Sequence, residues 1–106
     1  MTAREFIIGL KDKVHPESIK GKSTCFHFQL EGEEGGDFTV NIDDGQINIT
    51  ETLEGDAKCT VKANTTHFMK VINGEIKPFM ALLTGKVKVS DQGELIKYAK
   101  IFGLMK

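Results

Sequence analysis

Hydrophobic positions in the first fourteen residues recur at helical spacing: Phe6, Ile7, Leu10 and Val14, with Arg4, Lys11 and Asp12 between them. That spacing predicts an amphipathic helix over residues 3–14. Thr2 supplies a cap, and His15-Pro16 ends the helix, because a residue before proline is pushed out of helical angles. A single turn over residues 17–21 can follow. From Thr24 the period changes to two. Phe26, Phe28 and Leu30 share one face of a strand, and Cys25, His27 and Gln29 the other. After the glycine-rich "EGEEGGD", Phe38, Val40 and Ile42 alternate with Thr39, Asn41 and Asp43. The turn "DDGQ" carries an Asp-Gly hairpin signal. Ile47 and Ile49 continue the pattern, and after "LEGDA" so do Cys59, Val61 and Ala63 against Lys58, Thr60, Lys62 and Asn64.

Four strands in succession predict an antiparallel meander with one apolar and one polar, wet face, so a cover is needed on one side only. Helical segments supply it. Asn64-Thr65-Thr66 is a capping cluster ahead of Phe68, Met69, Val71 and Ile72, and Gly74 stops that helix. Pro78 suits a first helical position and Gly85 a C-terminal stop. Val87 and Val89 alternate with Lys86, Lys88 and Ser90 as a fifth strand. Asp91 with Glu94 resembles a capping box, with Ser90 as a rival cap. A last helix then carries Leu95, Ile96, Tyr98, Ala99, Ile101, Phe102 and Met105. The expected fold is a two-layer α+β domain: a mostly antiparallel sheet of about five strands, with helices on its apolar face.

A length of 106 residues suits one domain, 1–106. At 40% hydrophobic and 27% charged residues, with net charge −1, the total does not favour nucleic acid, which selects a strongly basic face. The distribution is uneven. Residues 31–57 hold nine carboxylates (among them Glu31, Glu51, Glu54 and Asp56) and no Lys or Arg, whereas lysine dominates from Lys58 onward. Solvated loops and faces explain this, and so does a basic rim that meets anionic headgroups. No segment has the form of a targeting signal or approaches the ~20 apolar residues of a membrane span, so a cytoplasmic protein is expected.

Catalytic chemistry finds little support. His15, His27 and His67 lack metal-ligand spacing, and no metal or other cofactor is implied. Cys25-x-His27 puts a thiol and an imidazole on one strand face, a faint nucleophile–base arrangement with no third group. Cys59 falls on the opposite, apolar face, which rules out a disulfide with Cys25. The pairs Asp43-Asp44 and Glu33-Glu34 sit in glycine-flanked turns, and no phosphate-binding loop is present.

What stands out is surplus apolar surface in "NGEIKPFMALLTGKVKV" (residues 73–89), where Phe79, Met80, Ala81, Leu82 and Leu83 run consecutively. If Phe79, Met80 and Leu83 face the sheet, Ala81 and Leu82 point elsewhere. Either the helices also pack on each other, or sheet and helices leave an apolar tunnel. The same stretch is similar to a signature of the sterol carrier protein domain family, also called the non-specific lipid-transfer or sterol-binding domain. The chain from Cys59 to Met105 resembles that domain in its strand "CTVKA", the helices "THFMKVINGEIKP" and "FMALLTG", the strand "GKVKVSD" and a terminal amphipathic helix. The N-terminal half matches in element order.

The resemblance implies a hydrophobic tunnel that binds fatty acids, acyl-CoA thioesters, phospholipids or sterols, and no catalytic residue. Carried over, the tunnel lining falls on Phe68, Met69, Ile72, Phe79, Met80, Leu83, Leu95, Ala99 and Phe102, over a floor of Val40, Ile42 and Ile49. Lys77, Lys86 or Lys88 would meet a headgroup at the mouth, although lysines on the fifth strand also suit the guarding of a sheet edge. The chain has no Trp and no polar pair in the last helix to orient a sterol hydroxyl, so linear acyl ligands are expected before sterols. Contact with a membrane surface would follow from a transfer role. Two other readings stay open: a fully packed accessory module acting through a protein partner, and a small enzyme using Cys25 and His27.

Overall fold

The computed structural model describes residues 1–104; Met105, which the pattern places on the last helix, lies outside them. The first helix, α1 (Ala3–Lys13), opens on a complete capping box. The Glu5 amide donates to Thr2 Oγ1 at 3.1 Å, and the Thr2 amide donates to the Glu5 carboxylate at 2.9 Å. A 3₁₀ turn (Pro16–Ile19) leads into strands β1 (Ser23–Glu31), β2 (Gly36–Asp43), β3 (Gln46–Thr50) and β4 (Cys59–Asn64). Helices α2 (Thr65–Ile72) and α3 (Pro78–Leu83), strand β5 (Val87–Val89) and helix α4 (Gln92–Phe102) complete the order. At the start of α4 the Asp91 carboxylate accepts from the Glu94 amide at 3.0 Å, so Asp91 is the cap. Ser90 instead accepts the Thr60 amide and belongs to the sheet. Gly103 closes α4 in the left-handed region, φ 80°, where a side chain would be strained.

The five strands form one sheet in the order β3-β2-β1-β4-β5. Three pairings are antiparallel, as expected. The fourth is not: β4 lies parallel to β1, with Phe26 opposite Cys59 and Phe28 opposite Val61, so the meander stops at β3. Alternation fixes which side chains share a face and carries no information about which strand lies beside which. The connection 51–58 is too long for a hairpin turn and runs back across the polar face. There the Thr39 hydroxyl donates to the Thr52 carbonyl at 2.7 Å and accepts the Glu54 amide at 2.9 Å. The Lys58 amide then joins the Cys25 carbonyl and starts β4. Part of the face expected to be wet is therefore covered, and Thr39 is buried.

On the apolar face, aromatic rings from four elements converge. Phe26 lies 5.3 Å from Phe102 and 5.7 Å from Tyr98, ring centre to ring centre. Phe28 meets Phe68 at 6.2 Å, and Phe68 meets Phe6 of α1 at 5.8 Å. Arg4 ties α1 to the β1–β2 loop by pairing with Glu34 and to the end of β3 by pairing with Glu51, while its guanidinium lies 5.4 Å above the Phe38 ring. No helix among the described residues is long and apolar enough to cross a membrane.

Because Phe26 touches both α4 aromatics and is fully buried, Phe26→Ala leaves a void that its neighbours cannot fill. We expect a loss of about 3–5 kcal/mol in denaturant unfolding. A loss below about 1 kcal/mol would show that this cluster is not where the stability resides.

Candidate functional site: an apolar cleft beside the edge strand

The aromatic cluster fills the middle of the layer between sheet and helices, and the remaining space lies to one side of it. A cleft of about 230 Å³ sits between the β4–β5 edge, α2, α3 and α4. Val61 and Val87 form its floor, and Phe68 and Val71 of α2 one wall. Pro78, Phe79, Ala81 and Leu82 come from α3, Gln92, Leu95, Ile96 and Ala99 from α4, and Leu104 from the chain beyond it. Gln92 is the single polar residue in this lining.

The orientation of α3 creates the cleft and reverses the sequence expectation. Ala81 is buried and Leu82 half-buried, while Phe79, Met80 and Leu83 are 66%, 48% and 65% exposed. Five apolar residues in a row carry no phase of their own, so the connections decide. The Lys86 amide bonds the Ala81 carbonyl at 3.0 Å as the chain turns from α3 into β5, which holds the Ala81 side against the sheet edge. Alanine at that contact brings the helix close without filling the space beside it.

Of the twelve residues expected to line a tunnel, Phe68, Phe79, Leu95 and Ala99 line the cleft. Phe102 is wholly buried in the aromatic cluster, and Val40 and Ile42 are wholly buried on β2, two strands away from β4. Ile49 of β3 and Met69 and Ile72 of α2 are half-buried outside the lining, and Met80 and Leu83 face outward. The cleft also draws on Val61, Val71, Val87, Ile96 and Leu104, which were not singled out. Alternation had placed Val61 and Val87 on the apolar face; their adjacency depends on the β4–β5 pairing. None of the three lysines lines the cleft. Lys77 precedes α3, and Lys86 and Lys88 lie with Lys62 and His67 along a separate polar depression. Lys62 and Lys88 are directly paired across β4 and β5, one residue out of phase with Val61 and Val87, so they occupy the opposite face.

Comparison with known proteins places this arrangement. The model of the SCP-2 sterol transfer family matches residues 6–106. Hydroxysteroid dehydrogenase-like protein 2 of Xenopus laevis is 30% identical over 105 residues, and the human protein of that name 30% identical over 98. The match takes in 96% and 91% of this chain, which spans about a quarter of the length of those relatives (25% and 23%). Among solved structures, palmitated SCP2L2 from Aedes aegypti superposes with a TM-score of 0.73 at 20% identity, covering 96% of this chain and 95% of that one. Sterol carrier protein 2 from Yarrowia lipolytica, in its apo form, gives 0.60 at 24% identity, covering 95% of this chain and 81% of that one.

The thiol and imidazole of Cys25 and His27 occupy the opposite, polar face. His27 Nε2 donates to the Glu54 carbonyl at 2.9 Å, and Cys25 Sγ lies 3.9 Å from the same oxygen. The two are drawn to one carbonyl rather than to each other. Burial, and secondarily the negative charge of Asp56, pushes the Cys25 thiol above its ordinary range; burial does the same to Cys59. A nucleophilic cysteine needs the opposite shift. Alkylation of Cys25 by iodoacetamide should therefore accelerate with pH through a midpoint above that of a free cysteine thiol titrated alongside it. Cys59 should react only on unfolding. A Cys25 midpoint below the ordinary value would restore it as a candidate nucleophile.

Proposed function

The chain belongs to the SCP-2 sterol transfer family, and from that premise we propose that it binds and transfers lipids without catalysis, taking a linear acyl chain into the cleft bounded by α3, α4 and the β4–β5 edge. The observation that carries this reading is the lining: apolar side chains on every wall and one polar group, Gln92. Such a surface recognises hydrocarbon and leaves the headgroup largely unread. Fatty acids, acyl thioesters and phospholipids are therefore preferred over the rigid sterol ring system. The palmitated state named for the Aedes aegypti relative is in keeping with that preference.

Simple transfer energetics suffice. Burying about sixteen carbons at ~0.8 kcal/mol per CH₂ is on the order of 10 kcal/mol gross. Association and ordering costs remove part of it, and a micromolar affinity needs roughly 8 kcal/mol. The resting cleft, about 230 Å³, is smaller than the roughly 300 Å³ at which drug-sized sites begin, so a long chain must displace something. Helix α3 is the element that yields. Ala81 is its single fully buried side chain, and Gly74 and Gly85 flank it with left-handed backbone at φ 80° and 74°. Phe68, Phe79, Leu95 and Ala99 are the walls we assign to the ligand, and Gln92 or Lys77 the groups that meet its polar end. The dehydrogenase named in the longer relatives is not carried over to this chain.

A second reading, an accessory module whose core is closed, draws on the aromatic cluster that already fills the centre of the layer. Native mass spectrometry with lipid extraction separates the two, followed by titration with a fluorescent fatty acid. We expect a lipid adduct or saturable uptake, and in Ala99→Leu at least about tenfold weaker binding, because the added carbons occupy the cleft. Overpacking one site costs about 1–3 kcal/mol, and each kcal/mol lowers the melting temperature of a domain this size by about 4–5 °C, so binding is compared well below the variant's melting temperature, with circular dichroism to show that it is folded. A bare chain that takes up no fatty acid would favour the closed module.

A further inference from the structure

We infer that the outer face of α3, together with Ile96 of α4, docks the protein on an anionic lipid bilayer and presents the cleft directly to it. The inference rests on the lipid-binding reading above. Phe79, Met80, Leu83 and Ile96 are each between 48% and 66% exposed. They form one patch with the cleft: Phe79 and Ile96 both line it, Met80 is adjacent to Phe79, and Leu83 is one helical turn further along the same side of α3. An apolar surface of this kind that remains in water marks a site of association.

Charge selects what covers it. From residue 76 to residue 90 the chain carries no carboxylate; Lys77 adjoins α3, and Lys86 and Lys88 sit at the same sheet edge on the face away from the cleft. On α4, Lys100 lies four residues after Ile96 and shares its side, and Lys97 is exposed beside it. The two carboxylates of this region are both engaged, Glu94 in part by Lys97, whose charge it offsets. Asp91 caps α4, and Glu94, with a side chain 11% exposed, accepts the Thr24 hydroxyl at 2.5 Å and pairs with Lys97. The nearest remaining carboxylate in sequence, Glu75, precedes Lys77 by two residues. Eight of the nine carboxylates of residues 31–57 lie on β2 and in the loops before and after β2 and β3, away from β5 in the strand order, and the ninth, Glu31, ends β1 and lines the polar depression that holds Lys86 and Lys88. The molecule is therefore polarised, and the apolar patch is at its basic end. A negatively charged interface attracts that end and repels the other, which turns the cleft mouth toward the membrane before contact. A second copy of the chain meeting this face about a two-fold axis would bring Lys77 and Lys100 against lysines of the same kind. Burial of Phe79, Met80, Leu83 and Ile96 among acyl chains would let a lipid pass into the cleft without crossing water.

The test is flotation with vesicles of phosphatidylcholine alone or with about one third phosphatidylserine, at low and high salt, on the parent chain and on Met80→Ser/Leu83→Ser. Both substituted side chains are exposed and outside the cleft lining, so folding and binding of dissolved fatty acid should be preserved, as circular dichroism and probe titration will show. We expect the parent to float with anionic vesicles alone, less so at high salt, and the double variant to bind about tenfold more weakly or worse. Equal flotation of parent and variant, or none by the parent, overturns the docking surface even if fatty acid still binds. A parent dimer that the double variant dissociates also overturns it and assigns the face to self-association. Loss of fatty-acid binding in the parent would defeat the lipid-binding reading, and flotation would then decide the docking surface by itself.

Discussion

The parallel pairing of β1 with β4 is the constraint on which the helical layer depends. It sets Phe26 and Phe28 beside Cys59 and Val61 and delivers the chain from β4 into α2 directly over the aromatic strand. The pairing is made possible by a polar device on the reverse face, where the Thr39 hydroxyl holds the returning connection at both the Thr52 carbonyl and the Glu54 amide. A buried hydroxyl with both capacities used costs little to desolvate. The wet face thus fixes the strand order, and the strand order fixes what the dry face can build.

On the dry face, large and small residues are unequally shared. Rings from α1, β1, α2 and α4 interlock over the central strands. At the β5 edge the contacts are made by Ala81, Ala99, Val61 and Val87, which are short, and α3 is too brief to supply more. Protein interiors are normally filled to crystal-like density, so a gap lined by valine, alanine and half-buried leucine identifies the part of the layer that is under-packed. The edge strand, the shortest helix and the cleft are consequences of one local deficit of volume.

Much of this was legible in the sequence because it is local. The cap at Thr2, the phase of every strand, the separation of Cys25 from Cys59 and the cap at Asp91 each depend on residues a few positions apart, and each is found; that Glu5 completes a box with Thr2 appears only in the structure. The family resemblance in residues 59–105 agrees with the matched family model. Two features were not legible, for the same physical reason. The order of the strands depends on where a long connection travels, and the rotation of α3 depends on how its ends are tied. Neither has a periodic signature. The apolar run Phe79–Leu83 reads identically whichever side meets the sheet. That ambiguity explains why Met80 and Leu83, set toward the sheet in the sequence pattern, turn outward in the structure.

The two edges of the sheet differ in a way that bears on how the protein survives at high concentration. The β5 edge is three residues long and carries Lys88, which discourages another strand from adding there. The β3 edge, Gln46–Thr50, is longer, holds no charged residue and alternates isoleucine with amides. Strand addition, whether in domain exchange or in aggregation, is therefore directed to β3, the edge farthest from β5 in the strand order. A single lysine in place of Asn48, exposed in the middle of β3, would give that edge the same protection without touching the face that carries the cleft.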